Sequence, residues 1–395
     1  MGDDASRWLA GVPAEGLPFS VASAEACRVT GTDGRSYIDW MAGISVLNTG
    51  HRHPKVMEAI RVQQERHLHA MVLGEWAQEA QTAFARRLCG IVPVDDPRVL
   101  FTASGAEAVE GAMKAARKAT GRVKVAAFEG SYHGDTFGAL SVTGRPEMRA
   151  PFEPLLPGVS FMRFGDSGAL SAVDRSTAAV IVEPIQAEGG VRVPPDGFLK
   201  ALKKRCDETG ALLILDEVQT GLGRTGTMWA CEGEGIAPDI LVTAKALGGG
   251  LPLGAFIAPA RVARALCGDG VPGHLTTFGG HPLSCAAGLA ALEVTIEADL
   301  ARNARELGEI LTGALSALAN AGVIRAVRGR GLLLGVDLGS AARAAEAVEG
   351  CRRGGLLVGT TLHNEAILRI TPPLVMGDEE AVRGLEIMTS VLAPG

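Results

Sequence analysis

The sequence predicts an α/β protein with a doubly wound large domain and a smaller α+β domain. Short apolar runs alternate with helical patterns through the middle of the chain, the arrangement that builds a parallel sheet with crossover helices. A chain of 395 residues exceeds one typical domain and can bury most of its apolar surface. The composition is 47% hydrophobic but only 4% aromatic, and its 52 glycines are spread over many loops without a repeat, which indicates a globular chain over a fibrous or disordered one.

Arg98–Phe101 reads as the first strand of the large domain, and a helix over Ala106–Ala119 starts at Ser104-Gly105. Val123–Phe128, Ala178–Glu183, Ala211–Asp216, Asp239–Thr243 and Leu253–Ile257 are further strands, with Gly197–Thr209 as an intervening helix. From about Pro282 one long helical pattern runs through Leu300 and Leu307 to Leu318. Strand-like Val323–Val327, Leu332–Val336 and Ile367–Ile370 follow, with closing helices at Ala341–Arg353 and Glu379–Leu392. The boundary is expected inside a helix, with residues 46–292 in the large domain and 293–395 in the small one.

Several function classes are disfavoured. The net charge of −6 comes without a block of like charges, so nothing suggests a nucleic-acid surface. Seven cysteines, odd in number and never in a C-x-x-C pair, argue against a disulfide framework or a zinc site. The start MGDDASRWLAG lacks the basic and apolar regions of a secretion signal, and no apolar run approaches the ~20 residues that span a bilayer. Gly2 and Ser6 formally fit an N-myristoylation pattern, which the adjacent acids make accidental. The expectation is a cytoplasmic protein.

The chemistry points to Asp216 and Lys245. Ala211–Glu217 (ALLILDE) is a buried strand ending in a carboxylate, and Lys245 stands in a nearly charge-free run, AKALGGG. Without compensating charge the ammonium is disfavoured, so a neutral, nucleophilic amine becomes accessible and can form a Schiff base. A strand-end carboxylate can pair with a protonated pyridine nitrogen, as pyridoxal phosphate requires to act as an electron sink. A surface lysine and an ordinary strand-end aspartate are the alternative on those two residues alone.

The surrounding blocks settle that choice. LDEVQTGLGRTG and PDILVTAKALGGGLPLGA resemble the signature of the class III aminotransferases, pyridoxal-phosphate enzymes of the aspartate aminotransferase fold. The likeness runs from GTDGRSYIDWMAGISVLNTGHRHP through EPIQAEGGV and TTFGGHPLSCAAGLAAL to LRITPPL. It implies pyridoxal-phosphate fold type I, with a mixed, mostly parallel large sheet, an N-terminal segment 1–45 packed with the small domain, and a homodimer with shared sites.

Ligands of such sheets bind beyond the carboxyl ends of strands. Ser104, Gly105 and Ala106 lie between a strand and a helix and offer N–H groups and a dipole to a phosphate, resembling the family's phosphate cup. An ordinary Ser N-cap is the bland alternative. Resemblance assigns Tyr132 to stack on the pyridine ring, where a packed loop tyrosine is the other reading; His133 is read as structural. Gln219 would bond the ring hydroxyl, and Thr277 would reach the phosphate of the neighbouring subunit. Glu188 and Arg369 resemble the pair with which ornithine and acetylornithine members accommodate both carboxylate-bearing and amine-bearing chains, against a plain surface ion pair. Glu75 and Trp76 line either the entrance or the dimer seam.

One residue departs from the pattern. Acetylornithine enzymes typically carry arginine after the aromatic-His-Gly run to hold a substrate carboxylate, and here it is Asp135. The segment YHGDTFGALSV is instead similar to that of diaminopelargonic acid aminotransferases. Asp135 either meets a cationic substrate group or caps the following turn. The implied reaction is ping-pong transfer of an amino group, from an amino acid or amine, to an oxo acid such as 2-oxoglutarate or pyruvate. A class III racemase, epimerase or aminomutase using the same lysine, and a degenerate binding module, are the alternatives.

Overall fold

The computed structural model describes residues 8–11, 19–267 and 273–393. Gly2 and Ser6 lie outside them.

Three sheets organise the chain. The first joins β1 (Val21–Glu25), β2 (Arg28–Gly31) and β3 (Ser36–Asp39) as an antiparallel meander. The second contains β4 (Pro97–Thr102), β5 (Lys124–Phe128), β6 (Val159–Met162), β7 (Thr177–Val182), β8 (Leu212–Asp216), β9 (Ile240–Thr243) and β10 (Gly254–Pro259). Its order is β4-β10-β9-β8-β7-β5-β6; β10 runs antiparallel to both its neighbours and the other ladders are parallel. The third joins β11 (Ala326–Arg330), β12 (Leu333–Asp337), β14 (Gly359–Thr360) and β15 (Ile367–Ile370) in the order β11-β12-β15-β14, while β13 (Leu356–Leu357) pairs with β3. This is the mixed, mostly parallel α/β architecture expected.

The central strands are continuous apolar runs because both faces of a parallel sheet are covered by helices. All residues of β7, β8 and β9 are buried. One face packs Val180, Leu213, Leu215 and Leu241 with Phe198 and Leu202; the other packs Ile181, Ile214 and Val242 against Val109, Ala112 and Ala116 of the helix Gly105–Thr120. A separate core combines Ile38 and Trp40 with Leu307, Leu311, Leu334, Leu368 and Met388.

Three details differ from the pattern read in the sequence. The helix begun at Pro282 stops at Glu297, and a second spans Leu300–Asn320, because Asp299 takes a left-handed conformation with φ 47°. A break of two residues does not disturb an apolar periodicity enough to be seen. Residues 323–325 form a bend, so the expected strand over Val323–Val327 begins at Ala326. The short β6 and the N-terminal meander were not expected as strands at all; β1 is mostly exposed and β6 mostly half-buried, so neither carries a strong apolar signal.

The loop after β8 is stitched across the molecule by a buried guanidinium. Arg224 Nη1 donates to Leu332 O (3.0 Å) and Pro372 O (2.6 Å), and Nη2 donates to Asn48 Oδ1 (2.6 Å). Asn48 Nδ2 returns a bond to Leu222 O (2.9 Å). Burial lowers the Arg224 pKa to about 9, which leaves it charged at neutral pH. Its acceptors are neutral, so the charge is solvated by peptide dipoles in place of a carboxylate.

Candidate active site

A cavity of about 490 Å³ opens at the carboxyl ends of β7, β8 and β9, within the size range of ligand pockets. Its lining brings together Ser104, Gly105, Ala106, Tyr132, Asp135, Glu188, Asp216, Gln219 and Lys245. Thr277 is exposed and does not line it, and Arg369 reaches it through Glu188.

Ser104 caps the helix Gly105–Thr120: its hydroxyl accepts from Glu107 N at 3.2 Å. Glu107 Oε2 in turn accepts from Ala103 N at 2.8 Å, which fixes the loop. The N–H groups of Gly105 and Ala106 belong to the first turn, which has no intrahelical acceptor, and so remain for an anion together with the helix dipole. Cap and phosphate cup are thus compatible. The next loop can lie on this turn because Gly134 has φ 119° and no side chain; a Cβ there would stand 2.6 Å from Ala106 Cβ.

Asp216 ends β8 and is buried. Its Oδ1 accepts from Val218 N (3.0 Å) and its Oδ2 meets His133 Nδ1 at 2.7 Å. His133 is therefore part of the site, which its sequence reading as structural missed; only its place beside Tyr132 pointed there. Glu183, just past β7, was missed too. It is buried with Oε1 accepting from Tyr132 N (3.0 Å) and Oε2 from Ala187 N (3.1 Å). Burial, with the Asp216 charge adding and His133 opposing, pushes its carboxyl up to about 7.

That shift makes folding stability depend on pH. The unfolded carboxyl titrates near 4.5, so between about pH 4.5 and 7 the folded state holds a proton that the unfolded state has lost. Stability then falls as pH rises through that window, by roughly 3 kcal/mol at 1.36 kcal/mol per unit. Glu183→Gln is expected to flatten this decline. Urea unfolding at about pH 5 and about pH 7.5 checks it; an equal decline in both proteins would remove Glu183 from the pH dependence.

Lys245 follows β9 with φ 50°, a conformation uncommon for a side-chain-bearing residue and frequent at functional sites. Its Nζ donates to Gln219 Oε1 at 2.7 Å. Burial pulls its ammonium below the ordinary lysine range, opposed in part by the Glu188 charge. Gln219 Nε2 is buried and has no acceptor among the described residues.

Glu188 and Arg369 form a buried ion pair, with Glu188 Oε2 also accepting from Leu362 N at 2.8 Å. It is no surface pair. Asp135 does not cap the following turn: its Oδ2 accepts from Tyr132 Oη at 2.9 Å, while Glu110 Oε1 takes Thr136 Oγ1 (2.7 Å) and Gly138 N (2.9 Å). Glu75 and Trp76 line a different groove, beside Gln78 and Ala85.

One further wall was invisible in the sequence. Ala42, Gly43, Ile44 and Ser45 all have positive φ (49°, 59°, 66° and 62°), a left-handed turn costing about 1–2 kcal/mol per side-chain-bearing residue. Asp39 Oδ1 holds it by accepting from Met41 N (2.8 Å) and Ala42 N (2.9 Å), and the turn delivers Val46 to the cavity.

These residues fit pyridoxal phosphate. The donor set offers free helix N-terminal N–H groups for a phosphate, a buried carboxylate for a ring nitrogen, an unpartnered amide N–H for a ring hydroxyl, and a lysine amine. Among the described residues no cluster suited to a metal occurs, and no helix is long and apolar enough to cross a membrane.

Comparison with known proteins agrees. A profile described as aminotransferase class-III matches residues 12–392. The acetylornithine aminotransferase of Methanopyrus kandleri is 46% identical over 378 residues, covering 95% of each chain. Among solved structures, the ornithine aminotransferase of Toxoplasma gondii superposes with a TM-score of 0.91 at 33% identity, covering 98% of this chain and 93% of that one. An amine transaminase from an uncultivated Pseudomonas species, in its PLP-bound form, gives 0.90 at 30% identity, covering 97% and 96%. With a family model spanning nearly the whole chain and relatives alike in sequence and fold, the chain belongs to the class III aminotransferases, enzymes dependent on pyridoxal phosphate.

Proposed function

We propose that Lys245 is the catalytic base, Asp216 the ring-nitrogen partner and Glu188–Arg369 the carboxylate clasp of a homodimeric transaminase. The observation that carries this is the bond from Lys245 Nζ to Gln219 Oε1 inside the cavity that Asp216 also lines. When bound, pyridoxal phosphate supplies an electron-poor ring that takes up the electron pair left when the donor's amine-bearing carbon loses its proton. Lys245 Nζ accepts that proton, which its depressed pKa favours by keeping the amine available. Asp216 would pair with the protonated ring nitrogen, and its bond to His133 sets its orientation. Gln219 Nε2 would donate to the ring hydroxyl, the Gly105 and Ala106 N–H groups with Ser104 would hold the phosphate, and Tyr132 would cover the ring. Arg369 binds an oxo-acid or amino-acid carboxylate through its planar fork once Glu188 swings away, and Glu188 neutralises it when the substrate has no carboxylate there.

Thr277 joins the phosphate site of a second copy in this reading. Its exposure supports that, as does the exposed apolar surface at Leu275, Phe278 and Trp76. A sedimenting mass of one chain would remove it. The second core, which unites Trp40 with residues beyond 293, supports a small domain of 293–395 joined by 1–45, against a large domain of 46–292; limited proteolysis at those seams tests the division. We place the enzyme in the cytoplasm, where fractionation would find it.

The deciding experiment is a half reaction. Holoenzyme mixed with an amine donor alone is expected to lose the absorbance of the lysine-bound cofactor and regain it with 2-oxoglutarate or pyruvate. An unchanged spectrum with scrambled donor stereochemistry would favour an epimerase instead.

A further inference from the structure

The cavity's charge is one-sided. Four acids line it, Asp135, Glu183, Glu188 and Asp216, against Lys245 as its one lysine or arginine among the described residues. Three of the acids are already committed. Asp216 faces His133, Glu188 holds Arg369, and Glu183 is fixed by two backbone N–H groups. Asp135 is different: it is exposed, and the phenol of Tyr132 is its single hydrogen-bond partner among the described residues. A carboxylate has about four acceptor positions, so most of its capacity is open.

The basic groups near this corner do not neutralise it. His363 stands edge-on to Tyr132 with ring centroids 5.8 Å apart, and its Nδ1 faces Gly130 O at 3.3 Å. Burial lowers its pKa, which keeps the imidazole neutral at physiological pH. Arg145 donates to Leu362 O (2.8 Å) and lies 3.6 Å from Glu147.

Resting on the transaminase reading above, we propose that Asp135, held in place by the Tyr132 hydroxyl, receives a second cationic group of the amino donor. The enzyme would thus select donors that carry a positive charge beyond the transferred amine, and disfavour donors whose far end is a carboxylate. Complementary charge at a site lip contributes discrimination through both encounter and a charge-assisted hydrogen bond. A carboxylate brought to the same place meets like charge and loses its water without compensation.

Three probes isolate that term, because they share a primary amine on a five-carbon chain and differ in the far end: cadaverine, pentylamine and δ-aminovalerate. The half reaction of the holoenzyme is followed by cofactor absorbance for each. Cadaverine is expected to exceed pentylamine about tenfold in kcat/KM, with δ-aminovalerate slowest, and added salt should narrow the spread. Asp135→Asn is expected to bring the cadaverine-to-pentylamine ratio near one, Asp135→Glu to restore it, and Asp135→Arg to move preference toward δ-aminovalerate. A second measurement does not depend on turnover. Tetramethylcadaverine, a dication without a transferable amine, should bind the holoenzyme about tenfold more tightly than it binds Asp135→Asn by calorimetry. Equal ratios and equal Kd values in wild type and Asp135→Asn would overturn the proposal. If no donor changes the spectrum, the transaminase reading fails, and the calorimetric comparison still decides for or against Asp135.

Discussion

Replacing Lys245 by alanine is expected to lower turnover roughly ten-thousand-fold, the upper end for loss of a positioned general base. The upper end applies because, in the proposed mechanism, the same Nζ is both the cofactor's attachment point and the proton acceptor. Among the described residues the one hydrogen bond lost is that to Gln219 Oε1, and with it goes a buried cation whose charge burial disfavours. Folding stability should therefore hold or rise, so the loss of activity cannot be assigned to unfolding. Single-turnover absorbance with a primary amine donor, beside a thermal melt, checks both halves. Near-normal turnover in the variant would remove Lys245 from the chemistry.

Asp216→Asn is expected to cost about a thousandfold in kcat, with little change in donor KM. The amide keeps the shape of the carboxylate and an oxygen for Val218 N, so the loop should stay in place. In the proposed mechanism what disappears is the negative charge that would hold the ring nitrogen protonated, an effect felt when negative charge develops on the cofactor and little in ground-state binding. His133 offers a graded comparison. It touches Asp216 Oδ2 at 2.7 Å with its Nδ1, so His133→Asn should lower kcat less than Asp216→Asn while shifting the absorbance maximum of the bound cofactor in the same direction. If Asp216→Asn instead raised KM and left kcat intact, the carboxylate would be serving binding alone.

Much of this site is legible before any folding. Strands β8 and β9 are uninterrupted apolar runs, so their carboxyl ends, and with them Asp216 and Lys245, can be located from local composition. The cap at Ser104, the loop glycines and the order of the motif blocks are likewise local signals. Residues whose roles arise between segments far apart in sequence are not legible in that way. His133 and Asp216 lie 83 positions apart, and Glu188 and Arg369 lie 181 apart, yet each pair is in direct contact. Resemblance anticipated the second pair and not the first. Neither resemblance nor pattern anticipated that Glu183 would be buried beside Asp216, or that four consecutive residues from Ala42 would turn left-handed to present Val46.

Hydrophobic periodicity and turn residues were enough to choose the α/β class, and the ordered motif blocks, by resemblance, to choose the cofactor and to nominate Lys245, since each signal acts over a few neighbouring positions. Packing settled the rest. Which carboxylate keeps a free face, how far burial moves Lys245 and Glu183 from their ordinary titration, and how Arg224 ties the β8 loop to the small sheet all depend on solvent exclusion and on dipoles from remote segments. Desolvation and long-range hydrogen bonds exist once the chain has closed on itself, and that is why Asp135 can be named from the order of residues while its exposed state, held by the Tyr132 hydroxyl alone among the described residues, cannot.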